Sequence, residues 1–154
     1  MSAPSSEPPA PKPEPEPRSA YPHLQRLTTR WRDNDVYGHM NNVVYYEYFD
    51  TVVNAWLIER GLLEIETSPV IGLVVETACS YFAPLGFPDD VTAGLRVARI
   101  GGSSVTYEIG LFRGAAPEAA AQGRFTHVYV DRATRRPTPL AEPMRAALGA
   151  LRRA

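Results

Sequence analysis

A single long helical pattern followed only by strand patterns constrains the fold more than any other feature of the chain. From Val43 to Arg60 apolar residues recur at helix spacing, and Gly61 is a natural helix stop. From Val70 to Val130 the pattern has period two, interrupted by short turns. Strands joined by short turns form an antiparallel sheet, which must cover the apolar stripe of the helix. We therefore predict an α+β fold with a curved antiparallel sheet of about five strands wrapped around one long central helix.

The limits of the remaining elements follow from the same patterns. A first strand is predicted before the helix, over residues 24–32, with Leu27, Thr29 and Trp31 on one side. Pro143 favours the start of a short terminal helix over residues 142–151. The strands after the long helix are predicted over residues 70–82, 91–97, 105–111 and 119–130.

The first twenty residues differ in composition from the rest of the chain. They contain seven prolines together with Ser, Glu and Ala, and they contain no aromatic or β-branched residue. Such a segment buries too little apolar surface to offset the entropy lost on ordering. We therefore predict a disordered proline-rich tail over residues 1–20 and one folded domain over residues 21–154. The tail also lacks the apolar core of a secretory signal.

Charge and cysteine content exclude several classes of function. A net charge of −1 gives no bulk electrostatic attraction for nucleic acid. The longest uncharged apolar stretch of the domain, around residues 52–58, is too short for membrane insertion. Cys79 is the only cysteine, so an internal disulfide and a cysteine-based zinc site are both excluded. We predict a buried structural thiol and a cytoplasmic location.

The residues from Asp33 to Tyr45 carry most of the chemical information. Two acids lie two residues apart, Gly38 permits a sharp turn, and a polar His-Met-Asn-Asn stretch leads into the helix. An acid just before a helix faces unpaired backbone N–H groups and the positive end of the helix dipole. That arrangement can polarise a carbonyl while a carboxylate attacks it or directs water onto it. Taken one at a time, these residues are more often ordinary caps and turns.

The whole string resembles the Asp-x-Asp-x-x-Gly-His-x-Asn-Asn-x-x-Tyr signature of hotdog-fold acyl-CoA thioesterases, the family that includes 4-hydroxybenzoyl-CoA thioesterase. The matching positions, without a gap, are Asp33, Asp35, Gly38, His39, Asn41, Asn42 and Tyr45. The resemblance implies hydrolysis of an acyl-CoA thioester to free acid and CoA, without a metal or organic cofactor. It also implies an active site between two subunits, and hence a homodimer that is often paired into a homotetramer.

The resemblance makes Asp35, the second acid of the motif, the catalytic carboxylate. It could attack the thioester carbon and form a mixed anhydride, or act as general base on a water molecule, and the sequence leaves both open. Asp33 is expected to brace the loop. Gly38 and the backbone amides near Asn41 and Asn42 are candidates for polarising the carbonyl. The two asparagine side chains are equally well explained as helix caps.

Five further residues are candidates for positioning the loop or contacting the substrate. His39 is expected to do one or the other, and Tyr45 is the best candidate for lining the acyl pocket. Glu76 lies in an apolar strand, so it is either a second acid acting across a subunit boundary or a plain solvent-facing position. Ser103 and Ser104 occupy a turn where the family often contacts CoA, although the expected basic residue is absent.

Two alternatives share the same fold. A non-catalytic acyl-CoA-binding hotdog module would use the pocket without turnover, and the presence of Asp35 argues against it. A hydratase or dehydratase usually carries its histidine and acid on the helix in a different local string, which the match to the thioesterase signature disfavours. The identity of the acyl group cannot be read from the sequence.

Overall fold

One antiparallel sheet of five strands and a long helix packed on one of its faces make up the domain, in a computed structural model that describes residue 8 and residues 13–153. The predicted fold class is therefore confirmed. The elements in chain order are β1 His23–Thr28, α1 Asn42–Glu59, β2 Val70–Tyr81, β3 Asp90–Ile100, β4 Ser104–Arg113, β5 Ala121–Asp131 and α2 Glu142–Gly149.

The strand order across the sheet is β1-β3-β4-β5-β2, and every neighbouring pair is antiparallel. The strands β3, β4 and β5 follow one another through short turns and form the centre. The first strand after α1, β2, pairs with the last strand, β5, over its whole length. Both β1 and β2 are therefore edge strands, and β2 is the longer of the two.

The apolar stripe of α1 is buried against the centre of the sheet. Phe49, Val52 and Trp56 are almost completely inaccessible to solvent. The strand predicted over residues 91–97 is part of β3, and alternate residues of it are completely buried: Val91, Ala93, Leu95 and Val97. Each large apolar side chain buried in this way stabilises the fold by about 1.5–3 kcal/mol. No helix in the described part of the chain has the length and apolar character needed to cross a membrane.

Local signals set both ends of α1. The Asn41 side chain caps the N-terminus by accepting a hydrogen bond from the backbone N–H of Val43 at 3.0 Å. Beyond the C-terminus, Gly61 has a φ of +69°, in the left-handed region that favours glycine. The predicted helix over residues 43–60 is thus displaced by only one residue.

The first strand is shorter than predicted. It ends at Thr28, and the chain enters a 3₁₀ turn over Trp31–Asp33 because the Asp33 carboxylate accepts the backbone N–H of Arg30 at 2.8 Å. Leu27 and Thr29 are buried, but Trp31, predicted on the same side, is 81% exposed.

The predicted tail contacts the domain between residues 14 and 20, although its composition favours disorder. Residues 1–7 and 9–12 lie outside the described residues. The Glu16 carboxylate forms an ion pair with Arg96, and the Glu16 carbonyl accepts the N–H of Ala119 at 3.0 Å. Arg96 alternates along β3 with inward-facing neighbours, so the segment lies on the sheet face opposite α1. The boundary between residues 20 and 21 stays a prediction.

The guanidinium of Arg96 explains this contact. Its side chain is only 3% exposed, and a buried charge is costly unless it is paired and hydrogen-bonded. Glu16 supplies one carboxylate, Glu108 supplies another at 3.1 Å, and the Tyr21 ring lies 4.7 Å from the guanidinium carbon. Glu16 thus supplies one of the carboxylates that the buried guanidinium on β3 requires.

We expect Glu16→Gln to lower the free energy of unfolding by about 1–3 kcal/mol, because a buried donor loses a charged partner. The matched control is Asp90→Asn, which removes a carboxylate from an ion pair with Arg26 in which both side chains are at least 70% exposed. That change should cost at most about 1 kcal/mol. Urea unfolding of the parent and both variants measures the difference.

The effect of Glu16 should depend on pH in a defined direction. The hydrogen bond from Arg96 holds the pKa of Glu16 below its ordinary value. A carboxylate with a lowered folded-state pKa stabilises the fold above its unfolded-state pKa, and this contribution disappears as the pH falls through the folded-state value. The difference in unfolding free energy between the parent and Glu16→Gln should therefore disappear at acid pH. Equal stability of the two proteins at neutral pH would contradict this account.

Candidate active site

The loop from Asp33 to Asn41 is closed on itself just before α1. The N–H of Asp35 donates to the carbonyl of His39, and the N–H of Asn41 donates to the carbonyl of Asp33, both at 2.8 Å. Gly38 closes the turn with a φ of +82°, a conformation that costs other residues about 1–2 kcal/mol. The acid motif therefore forms a short hairpin-like loop whose end is also the cap of α1.

The Asp35 carboxylate is half-buried and held by one of its oxygens. Oδ1 accepts the backbone N–H of Tyr37 at 2.8 Å and, at 3.4 Å, that of His39. In the described residues, Oδ2 has no hydrogen-bond donor within range. One oxygen is thus oriented by the loop while the other remains available to a substrate or a water molecule.

This carboxylate opens onto a shallow depression of about 270 Å³ at the N-terminal end of α1. The lining residues are Asp35, Met40, Asn41, Asn42, Tyr45 and Tyr81. The predicted residues Asp35, Asn41, Asn42 and Tyr45 are thus brought together. Met40 and Tyr81 are additions to that set.

The backbone N–H groups near the Asp35 carboxylate differ in whether they already donate a hydrogen bond. The N–H of Gly38 donates to the carbonyl of Asp35 at 3.2 Å, and that of Asn41 is used by Asp33. The N–H of Asn42, the first residue of α1, has no acceptor among the described residues. An unpaired donor at the positive end of a helix dipole suits a developing oxyanion. Of the predicted polarising amides, only that of Asn42 is free to act.

The two aromatic side chains of the depression contact each other. Tyr45 is buried, and its ring meets that of Tyr81 edge to face, with 4.8 Å between centroids. Burial raises the pKa of the Tyr45 hydroxyl, which is therefore a neutral group at physiological pH. Tyr81 ends the apolar run of β2, and its proximity to the motif depends on sheet topology that no local pattern reveals.

His39 lies on the other side of the loop. Its side chain is exposed and lines a separate polar depression of about 370 Å³, together with Gly38, Asp89 and Arg113 among others. It is not among the residues that line the depression at Asp35. The structure thus separates the His39 side chain from the depression at Asp35, and its role stays a prediction.

Glu76 faces away from α1. A β-bulge between Val74 and Glu76 shifts the register, so Glu76 lies opposite Thr126, and its carboxylate meets Arg124 at 3.3 Å. Phe125 lies between Arg124 and Thr126 in β5 and points into the core, so its two neighbours point to the opposite face. Within one chain, therefore, Glu76 is on the opposite face of the sheet from Asp35, which is the solvent-facing alternative for this residue.

Ser103 and Ser104 are also separate from Asp35 within one chain. They form the turn between β3 and β4, where the Ser103 carbonyl accepts the N–H of Tyr129 at 2.7 Å. Strand β4 runs from this turn to Arg113 beside the motif loop, a distance of about 30 Å at strand rise. A contact of these serines with a substrate held at Asp35 would require a second chain.

Cys79 has the properties of a structural thiol. It is partly buried on β2, and burial raises its pKa to about 11, so the reactive thiolate is scarce at neutral pH.

The fold and the site together define a hotdog-fold thioester hydrolase. The chain belongs to the thioesterase-like superfamily, whose family model matches residues 29–148.

Several solved structures are similar to this chain. The PA5185 protein from Pseudomonas aeruginosa strain PAO1 is 52% identical, with 92% of this chain and 99% of that chain covered and a TM-score of 0.89. A thioesterase from Thermus thermophilus, complexed with coenzyme A and Zn, is 28% identical, with coverages of 86% and 95% and a TM-score of 0.72. A 1,4-dihydroxy-2-naphthoyl-CoA thioesterase from Synechocystis, at 16% identity, 82% and 94% coverage and a TM-score of 0.74, shares the fold.

Among curated proteins, the chain is similar to the uncharacterized protein YsmA of Bacillus subtilis (strain 168). The two are 22% identical over 89 residues, which cover 58% of this chain and 60% of that protein.

Two glycines allow the contribution of the motif loop to be separated from general stability. Gly38 and Gly114 both have positive φ, and a Cβ at either would meet no atom within 4 Å. Alanine at each position should therefore cost a similar amount, about 1–2 kcal/mol. We expect Gly38→Ala to reduce thioester hydrolysis severalfold because it distorts the loop that carries Asp35, and Gly114→Ala to leave it unchanged, since Gly114 lines neither the depression at Asp35 nor the apolar pocket.

Steady-state hydrolysis and thermal unfolding of both variants provide the measurement. Equal activity of the two at equal loss of stability would show that the conformation of Gly38 does not control the site.

Proposed function

We propose that this protein hydrolyses acyl-CoA thioesters with Asp35 as the catalytic carboxylate. One observation carries the proposal. The Asp35 carboxylate, which has one oxygen without a hydrogen bond, and Asn42, whose N–H is free, line the same depression. The thioesterase from Thermus thermophilus that this chain resembles was solved with coenzyme A, which supports CoA as the thiol part of the substrate.

In this proposal the thioester carbonyl lies between the two groups. The Asn42 N–H and the dipole of α1 stabilise the negative charge that develops on the carbonyl oxygen. The free oxygen of Asp35 either attacks the carbonyl carbon or removes a proton from an attacking water. The C–S bond then breaks and CoA leaves as a thiolate, which takes a proton from solvent by the first route and the proton held by Asp35 by the second. By the first route, water cleaves the resulting mixed anhydride and releases the acid; by the second, the acid forms directly.

The acyl group needs an apolar pocket, and the depression at Asp35 is shallow and partly polar. An apolar pocket of about 230 Å³ lies near the other end of α1, where its lining includes Leu57, Leu63, Gly72 and Met144. From Tyr45 to Leu57, α1 extends about 18 Å. Within one chain, a short acyl group attached at Asp35 would not reach this pocket.

Strand β2 extends from the apolar pocket to the depression at Asp35. Its residue Gly72 lines the apolar pocket and its last residue, Tyr81, lines the depression at Asp35. If the free edge of β2 paired antiparallel with β2 of a second copy, the Gly72 end of each chain would meet the Tyr81 end of the other. The pocket of one chain would then adjoin Asp35 of its partner, and Ser103 and Ser104 would approach the same site.

The edge of β2 has the character of an interface. Leu73, Val74, Val75 and Tyr81 are large apolar residues exposed along it. An unpaired strand edge with exposed apolar side chains is prone to pair with another chain. We therefore propose a homodimer, which is able to pair further into a homotetramer, with each active site built from two chains.

The first test is Asp35→Asn, which keeps the shape of the side chain and removes its charge. We expect turnover to fall by about 10²–10⁴, since a group acting as base or nucleophile is lost. Free thiol release is measured across short, medium, long and aromatic acyl-CoAs, and Asp90→Asn serves as the control for charge loss at an exposed site.

Full turnover by Asp35→Asn on every substrate of the parent would exclude Asp35 as the catalytic acid. Binding of acyl-CoA by the parent without hydrolysis of any substrate would favour the non-catalytic binding module instead.

The second test concerns assembly. Val74 on β2 and Leu24 on β1 are 48% and 47% exposed on the two edge strands. We expect Val74→Lys to produce monomers without activity, because a charge on this edge opposes pairing, and Leu24→Lys to remain assembled and active. Light scattering resolves a 17.0 kDa monomer from larger species. A fully active monomer of the parent chain would contradict the two-chain site.

A further inference from the structure

The carboxylate of Asp33 is completely buried and has an unusually full set of partners. Its Oδ2 accepts the Tyr48 hydroxyl at 2.6 Å and the backbone N–H of Arg30 at 2.8 Å. Its Oδ1 faces the Arg30 guanidinium, with the Nε at 3.0 Å and the nearest terminal nitrogen at 2.9 Å. Tyr48 lies on α1, and Arg30 in turn bonds Glu47 of the same helix at 3.0 Å. Asp33 is thus tied to α1 by two independent routes.

These bonds keep Asp33 charged inside the protein. Burial by itself would raise its pKa, but the hydrogen bonds from Tyr48 and Arg30 outweigh it and leave the pKa below the ordinary value. A charged, fully bonded carboxylate is a rigid anchor, because losing any one partner leaves a buried group unpaired.

The anchor is connected directly to the catalytic loop. The carbonyl of Asp33 accepts the N–H of Asn41, and two residues further on the N–H of Asp35 donates to the carbonyl of His39. Between these two bonds, Asn34 and Met40 form an antiparallel bridge. The start of the loop is thereby fixed to α1 through Tyr48, and its end is fixed at the cap of α1. The separation between the Asp35 carboxylate and the Asn42 N–H depends on both attachments.

We propose that Tyr48 is a positioning residue: by holding Asp33 against α1, its hydroxyl fixes the Asp35 carboxylate relative to the free amide of Asn42. The predicted loss of turnover rests on the proposed function, whereas the predicted loosening of the loop does not. Small misplacements of a catalytic group reduce turnover by as much as about 100-fold. Because Tyr48 does not line the depression, its loss should affect turnover much more than substrate binding.

The variant Tyr48→Phe removes the hydroxyl and keeps the ring. We expect kcat to fall about 10- to 100-fold with KM changed less than about threefold. The control is Tyr107→Phe, which also deletes a buried hydroxyl, one that bonds Tyr129 at 2.7 Å in the core under α1. It should lose comparable stability and keep its kcat.

A double-mutant cycle tests the route of the effect. If Tyr48 acts through Asp33, adding Tyr48→Phe to Asp33→Ala should produce little further loss of kcat. Additive losses, or an undiminished kcat in Tyr48→Phe, would overturn the proposal.

Hydrogen exchange separates this inference from the proposed function. We expect the amides of residues 34–41 to exchange at least about tenfold faster in Tyr48→Phe than in the parent, and at the parent's rate in Tyr107→Phe. This result would support the anchor even if the parent hydrolysed no thioester. Unchanged exchange in Tyr48→Phe would overturn it whether or not the protein is active.

Discussion

Burial of the apolar stripe of α1 against the sheet is the interaction on which the rest of the structure depends. Phe49, Val52, Val53 and Trp56 are enclosed between the helix and the strands, and little of their surface reaches solvent. This packing fixes the axis of α1 and therefore the point where its N-terminus emerges. The N–H groups of the first turn need partners that the helix cannot supply. The motif loop lies at that point, with the Met40 N–H bonded to the carbonyl of Leu85 behind it at 2.8 Å.

Two buried charges stiffen the structure on either side of the sheet. Asp33 lies beside α1, and Arg96 lies on the opposite face, and each is held by more than one charged or hydroxyl group. Buried ion pairs contribute little net stability, but removing one partner is costly. Their effect is therefore to fix the segments that carry them. Arg96 fixes the segment that contains Glu16, and Asp33 fixes the loop that contains Asp35.

The parts of the structure that depend on local pattern could be predicted from the sequence. The period of apolar residues predicts α1 and the four strands after it, because each element buries one face. The acid motif predicts Asp35, Asn41, Asn42 and Tyr45 as one group, because its residues are adjacent in the chain and their loop is closed by its own hydrogen bonds.

The parts of the structure that depend on contacts between residues distant in the chain could not be predicted from the sequence. The proline content of the tail says nothing about Glu16 meeting a guanidinium that lies 80 residues further along. The orientation of Glu76 depends on a bulge, since one extra residue moves every later side chain of β2 to the other face. Tyr48 has the spacing of a core residue, and only the fold shows that its hydroxyl reaches Asp33.

The most direct test of the account is a crystal structure of the Asp35→Asn variant with an acyl-CoA that the parent hydrolyses. We expect the thioester carbon within about 3.5 Å of the residue 35 side chain. The carbonyl oxygen should lie about 3 Å from the Asn42 nitrogen, and the acyl group should enter the apolar pocket of the partner chain. A thioester bound away from residue 35, or a carbonyl oxygen directed into solvent, would contradict the proposed mechanism.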